Sequence, residues 1–253
     1  MSRSDDKPPV CKETEDARFL ESPRPAERQT PQDLLARDSW RVFRIMGEFV
    51  EGFEEMSIAG PAVSIFGSAR VSPDDAIYQQ CVTTAFGLGK EGYSIITGGG
   101  PGIMEAANRG AREAGAPSFG CNIELPFEQG TNPFVDHAID FRYFFVRKTM
   151  FVKYADAFVI FPGGYGTMDE LFEALTLIQT GKIQNFPVVL FGSDYWHGLF
   201  DWIRSTMLEQ GRISQADFEL VHLTDDPEEV VAHIRNHVQA SRAGSSAERT
   251  TLR

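Results

Sequence analysis

Basic residues are scarce and nowhere clustered: 24 Lys and Arg stand against 36 Asp and Glu, a formal charge of -12. A duplex-binding surface needs a Lys/Arg stripe to displace counterions, so the sequence predicts no nucleic-acid partner. Phosphate ligands stay open, because backbone N–H groups bind them without a basic surface. Cysteine is equally sparse, with only Cys11, Cys81 and Cys121, far apart and odd in number. That pattern excludes a disulfide framework and a cysteine-based zinc site, and it suits a reducing cytosol. The five histidines show no HExxH-type spacing, and no ligand cluster calls for a metal. No run approaches the ~20 apolar residues of a membrane span, and Met1 to Pro9 is charged rather than apolar. A soluble cytoplasmic protein is the expectation.

Apolar residues make up 42 % of the 253, enough for one sizeable core. Residues 1–33 mix charge, proline and serine without periodicity, and 241–253 look similar, so both ends are expected to be unstructured. A single domain is expected over 34–240. It opens with a helix over 34–56 that carries Phe43, Met46, Phe49, Val50 and Phe53 on one stripe. Short β-rich runs then alternate with helical stretches. The strands are 62–66, 93–97, 119–123, 138–144, 156–161, 187–191 and 220–223. The helices are about 74–91, 102–114, 146–154, 167–180, 196–209 and 227–239. Strands alternating with helices mean right-handed βαβ units, hence a doubly wound, Rossmann-like parallel sheet covered on both faces.

Three strand-to-helix turns are glycine-rich: Phe66 to Arg70, Thr97 to Gly102 and Pro162 to Thr167. Any one alone is a tight turn. Three at the carboxyl edge of one parallel sheet predict a phosphate or nucleotide crevice, since glycine lets backbone approach an anion at a helix N-terminus. No G-x-x-x-x-G-K-[ST] run is present and no G-x-G-x-x-G opens the first helix, which excludes P-loop and dinucleotide-dependent chemistry. Thr167 followed three residues later by Glu170 has the pattern of a capping box, which would account for both residues structurally. Glu173 falls on the same helical face as Glu170, where like charges repel, so a catalytic reading stands beside the capping one. Arg147 and Lys148 open a helix at the same sheet edge, with Asp156 or the acidic face of 167–173 as candidate partners.

Arg147-Lys148 followed by Pro162-Gly-Gly-Tyr-Gly-Thr-Met-Asp-Glu170 resembles the paired signature of the LONELY GUY family, an RK dipeptide and then PGGxGTxxE. Those proteins are cytokinin-nucleotide phosphoribohydrolases, and many relatives carry a lysine-decarboxylase label. The resemblance runs from about Ala62 to Ile234. It implies a Rossmann-like homodimer that hydrolyses a purine nucleoside 5'-monophosphate to free base and ribose 5-phosphate, without cofactor or metal. By the same resemblance Arg147 and Glu170 are the catalytic pair. Ser68, Gly98, Gly99, Gly100, Lys148, Gly163, Gly164, Gly166, Thr167 and Glu173 hold the substrate. Val146 stands where shorter members have an acidic residue, and the 34–56 helix is additional.

The residue types suit that chemistry. A carboxylate stabilises an oxocarbenium-like sugar or activates water, while a guanidinium stays protonated and can only bind and balance charge. A non-catalytic carrier of a molybdenum cofactor or other phosphorylated ligand is the alternative, though it has no use for the Arg147–Glu170 pair. A DNA-processing relative conflicts with the charge of -12. Lysine decarboxylation lacks a recognisable cofactor lysine, since Lys148 and Lys153 both lie on the predicted helix.

Overall fold

The computed structural model describes residues 13–20, 31–125 and 130–251. Its centre is a seven-stranded sheet built from β1 (Ala62–Phe66), β2 (Ser94–Thr97), β3 (Ser118–Ile123), β4 (His137–Phe141), β5 (Ala157–Ile160), β6 (Val188–Phe191) and β7 (Val221–Thr224). The order is β4-β3-β2-β1-β5-β6-β7, and every pair is parallel. The central strands β1, β2, β5 and β6 are buried on both faces; β5 and β6 are unbroken apolar runs, and β1 and β2 bury Ser64, Ser94 and Thr97 among their apolar residues. The expected Rossmann-like class is therefore what the chain adopts.

Alternate side chains of each strand feed two cores. Val63, Ile65, Ile95, Val159 and Val189 pack under α3 (Ala76–Lys90), α4 (Ile103–Ala114) and α9 (Pro227–Thr251). Phe66, Ile96, Phe158, Ile160 and Leu190 pack under α2 (Pro31–Met56), α5 (Phe144–Lys153), α6 (Tyr165–Gln179) and α7 (Ser193–Trp202). Sequential strands run outward from β1 in one direction up to β4, and from β5 in the other. The sheet thus reverses between β1 and β5, which is where an open parallel sheet leaves a crevice at its carboxyl edge.

Several boundaries differ from the expected ones. The segment expected as an unstructured arm contains a helix, α1 (Glu15–Leu20), while 1–12 and 21–30 lie outside the described residues. At the other end α9 continues to Thr251, through residues expected to be irregular. The strand expected over 138–144 ends at Phe141, and Phe144 already belongs to α5. Beyond α7 the helix widens into a π-helical segment, Ile203–Leu208, followed by the four-residue α8 (Gln215–Phe218). Of the apolar stripe on α2 only Phe49 packs against the core, whereas Phe43, Met46, Val50 and Phe53 are exposed.

Candidate functional site

Loops after β1, β2 and β5 enclose a crevice of about 850 Å³ at the strand-order reversal. One wall is the start of α6. No side chain caps this helix; its N-cap is Gly164, followed by Tyr165 and Gly166. The first N–H groups of a 15-residue helix therefore meet the crevice without a side-chain acceptor, which favours an anion there. Tyr195, at the start of α7 and in the crevice lining, donates its hydroxyl to the carbonyl of Gly163 at 2.5 Å and so ties down the loop.

The capping box expected at Thr167 and Glu170 does not form. The helix begins two residues before Thr167, because Gly164 and Gly166 admit a helix start without any capping side chain. Thr167 is instead buried in the first turn, against Gly163, where any added Cβ would strike it. Glu170 is left without a structural duty. It is 6 % exposed, lines the crevice, and its Oε2 has no hydrogen-bond partner among the described residues. Burial raises its carboxyl, Lys148 and Arg147 pull it back, Glu173 pushes it up, and the balance is about 7.

Arg147 comes from the second turn of α5. Its Nε donates to the carbonyl of Cys121 at 2.7 Å, and its guanidinium lies over the rings of Phe151 and Phe144 at 5.1 and 6.0 Å. Burial lowers its affinity for the proton, and the charge of Glu170 opposes that effect. Lys148 points the other way. Its Nζ pairs with Asp169 at 2.9 Å and Glu173 at 2.8 Å, so the partners come from α6. Burial would lower the Lys148 ammonium, but those two carboxylates raise it.

The remaining predicted residues divide. Ser68, Gly98, Gly163, Gly164, Gly166 and Thr167 line the crevice with Arg147 and Glu170. Gly99 and Gly100 do not. They are buried, and their carbonyls accept from Asn132 Nδ2 at 3.1 and 3.0 Å, in a network with Asn108 and Thr97. Lys148 and Glu173 form an ion pair beside the crevice rather than in its lining. Gly102, at φ 69°, brings its loop so close to Ser68 that a side chain would meet the Ser68 carbonyl. Sequence reasoning missed Met104, Phe144, Phe151 and Tyr195. Tyr195 follows β6, the strand next to β5, so its place at the carboxyl edge was available from strand order alone.

This is a parallel α/β protein with an uncapped helix start, a buried carboxyl and a guanidinium at its switch point. The family described as "Possible lysine decarboxylase" matches residues 104–234, more than half of the chain, and the chain belongs to that family. Among similar proteins, a probable cytokinin riboside 5'-monophosphate phosphoribohydrolase of rice (Oryza sativa subsp. japonica) is 30% identical over 142 residues, 55% of this chain and 61% of the relative. A cytokinin riboside 5'-monophosphate phosphoribohydrolase of Arabidopsis thaliana is 36% identical over 92 residues, covering 36% and 42%. A pyrimidine/purine nucleotide 5'-monophosphate nucleosidase of Escherichia coli is 30% identical over 164 residues, covering 59% and 36%. The matched segment thus spans less than two thirds of each of these relatives. The molybdenum cofactor carrier protein of Chlamydomonas reinhardtii superposes with a TM-score of 0.55 at 21% identity, covering 71% of this chain and 99% of that one. The molybdenum cofactor binding protein of Rippkaea orientalis gives 0.53 at 23% identity, covering 72% and 99%. At those identities the likeness concerns the fold.

Proposed function

We propose that this chain hydrolyses the N-glycosidic bond of a purine nucleoside 5'-monophosphate, giving free base and ribose 5-phosphate. The observation that carries the proposal is Glu170: a buried carboxyl, unpaired at Oε2 and poised near neutrality, facing the same crevice as the uncapped start of α6. The phosphate seats on the N–H groups at Gly164 to Gly166, and this sets the ribose beside Glu170. As the C1'–N bond breaks, its electron pair leaves with the base and positive charge builds on the sugar. Ionised Glu170 stabilises that charge and takes a proton from the attacking water, whose oxygen bonds to C1'. The base ends with the proton that the water loses. Arg147 holds the nucleotide and balances charge; it is no base.

The activities for which the rice, Arabidopsis and E. coli relatives are named support this reading. A carrier shares the fold but gives no reason to bury an unpaired carboxyl in the ligand crevice. We place the enzyme in the cytosol, supported by its buried free thiols Cys81 and Cys121, and as a homodimer, supported by the exposed apolar face of α2. No helix among the described residues is long and apolar enough to cross a membrane.

The test is product release from the purified chain with AMP and with isopentenyladenosine monophosphate, resolved by chromatography. Free base that disappears in Glu170→Gln supports the hydrolase, and the rate ratio names the preferred base. Absence of base from both, with thermal stabilisation by a nucleotide, would favour the carrier.

A further inference from the structure

Helix α5 delivers Arg147 but does not secure its own beginning. Its N-cap, Tyr143, makes no side-chain capping bond, and its first turn holds no acidic residue. The job is done from elsewhere in the chain. The carboxylate of Glu48, on α2, accepts from the backbone N–H of Arg142 at 3.2 and 3.1 Å and from that of Tyr143 at 3.3 Å. Asp16, on α1, accepts from the N–H of Phe144 at 2.9 Å. Three consecutive backbone donors at and just before the helix start are therefore held by two carboxylates from distant segments, and those of Tyr143 and Phe144 are among the groups that a helix leaves orphaned.

Glu48 is placed for this with little freedom. It is 6 % exposed. One turn further along α2, Gly52 lies so close to α5 and β4 that a Cβ there would strike Met150 and Phe141. The connection to the crevice is short. Tyr143, whose N–H Glu48 holds, gives its carbonyl to the N–H of Arg147 at 3.2 Å. The Arg147 side chain sits on the carbonyl of Cys121 and against Gly98. A shift at the start of α5 moves the guanidinium off that seat.

We propose that Glu48 is a positioning residue, which fixes the first turn of α5 and thereby the placement of Arg147 in the crevice, with Asp16 as a second, peripheral clamp. Both carboxylates lie before the family match at 104–234. The consequence for turnover rests on the hydrolase reading; the consequence for α5 does not.

The experiment uses the full chain with Glu48→Ala and Glu48→Gln, alone and in an Arg147→Lys background. Amide hydrogen exchange and AMP hydrolysis are both measured. Expected for Glu48→Ala is faster exchange confined to residues 142–147, with β5 and α6 still protected. The accompanying fall in kcat/KM is about 10- to 100-fold, the loss that follows a displacement of roughly 1 Å. Glu48→Gln, which keeps an acceptor oxygen, restores part of the activity. On Arg147→Lys the alanine change costs little more, because it acts through the residue already altered. Exchange that is faster throughout the sheet, full turnover in Glu48→Ala, or additive losses would overturn the proposal. If Glu48→Ala does not fold, Glu48→Gln and Asp16→Asn carry the same comparisons. A wild-type chain with no AMP turnover would remove the hydrolase reading alone, and the exchange pattern would still decide the role of Glu48.

Discussion

The guanidinium of Arg147 occupies the space that a side chain at Gly98 would need: a Cβ built there meets Nη2 of Arg147 and Sδ of Met104. Gly98 is thus glycine for the sake of its neighbour. Its φ is not in the left-handed region, so the backbone itself would accept alanine.

Gly98→Ala should therefore separate activity from stability. Both opposing atoms sit at the ends of flexible side chains and can yield, so the melting temperature should change little. The yielding displaces Arg147, and kcat/KM for AMP should fall by about 10- to 100-fold. Steady-state kinetics beside a thermal melt checks this; wild-type turnover in Gly98→Ala would show that the arginine needs no fixed seat.

The ionisation of Glu170 should govern the pH profile. Its carboxyl is held at about 7, chiefly by burial, and in the proposed hydrolysis the ionised form stabilises the sugar cation and activates water. The value of kcat/KM, which reports the free enzyme, should rise with pH and level off above about 7. A profile flat from about pH 5.5 to 8.5 would deny Glu170 that role.

The same carboxyl should weaken the fold in a pH-dependent way. Its folded value lies above the ordinary 4.5, so its favourable contribution is complete below 4.5 and is lost as pH rises through about 7. The interval corresponds to roughly 3 kcal/mol at most. Glu170→Gln should accordingly melt higher than the parent at pH 8, and the advantage should vanish at pH 4.5. Denaturation curves at the two pH values test it. An equal effect at both would mean that charge burial is not the cause.

How much of this was legible in the sequence follows from where each signal resides. The central strands were, because runs such as Val188–Phe191 are apolar on both faces and read the same in any context. The start of α5 was not. Tyr143 and Phe144 look like strand residues, and only Glu48 and Asp16, 95 and 128 positions away, turn that stretch into a helix start. Thr167 likewise mimicked a cap, because Gly164 and Gly166 announce no helix. Among the glycines, Gly98 and Gly163 could be placed in the crevice from the pattern of loops after strands. Gly99 and Gly100 could not be told from them, since what turns their carbonyls inward is Asn132, on a segment beyond β3.

Gly164 offers the sharpest test of the phosphate seat. Its φ of -92° lies outside the left-handed region, and a Cβ there finds nothing within 4 Å. Valine at this position should leave the fold nearly intact, apart from the modest cost of an unfavourable N-cap residue. A ligand lying on the N–H groups of α6 would meet the new methyls. Affinity for AMP should drop by about 10- to 100-fold, or roughly 1.4 to 2.8 kcal/mol, while affinity for adenosine should hardly move. Calorimetric titration of both ligands into Gly164→Val makes the comparison. Equal loss for nucleotide and nucleoside would place the phosphate elsewhere, and with it the geometry that sets the glycosidic bond beside Glu170.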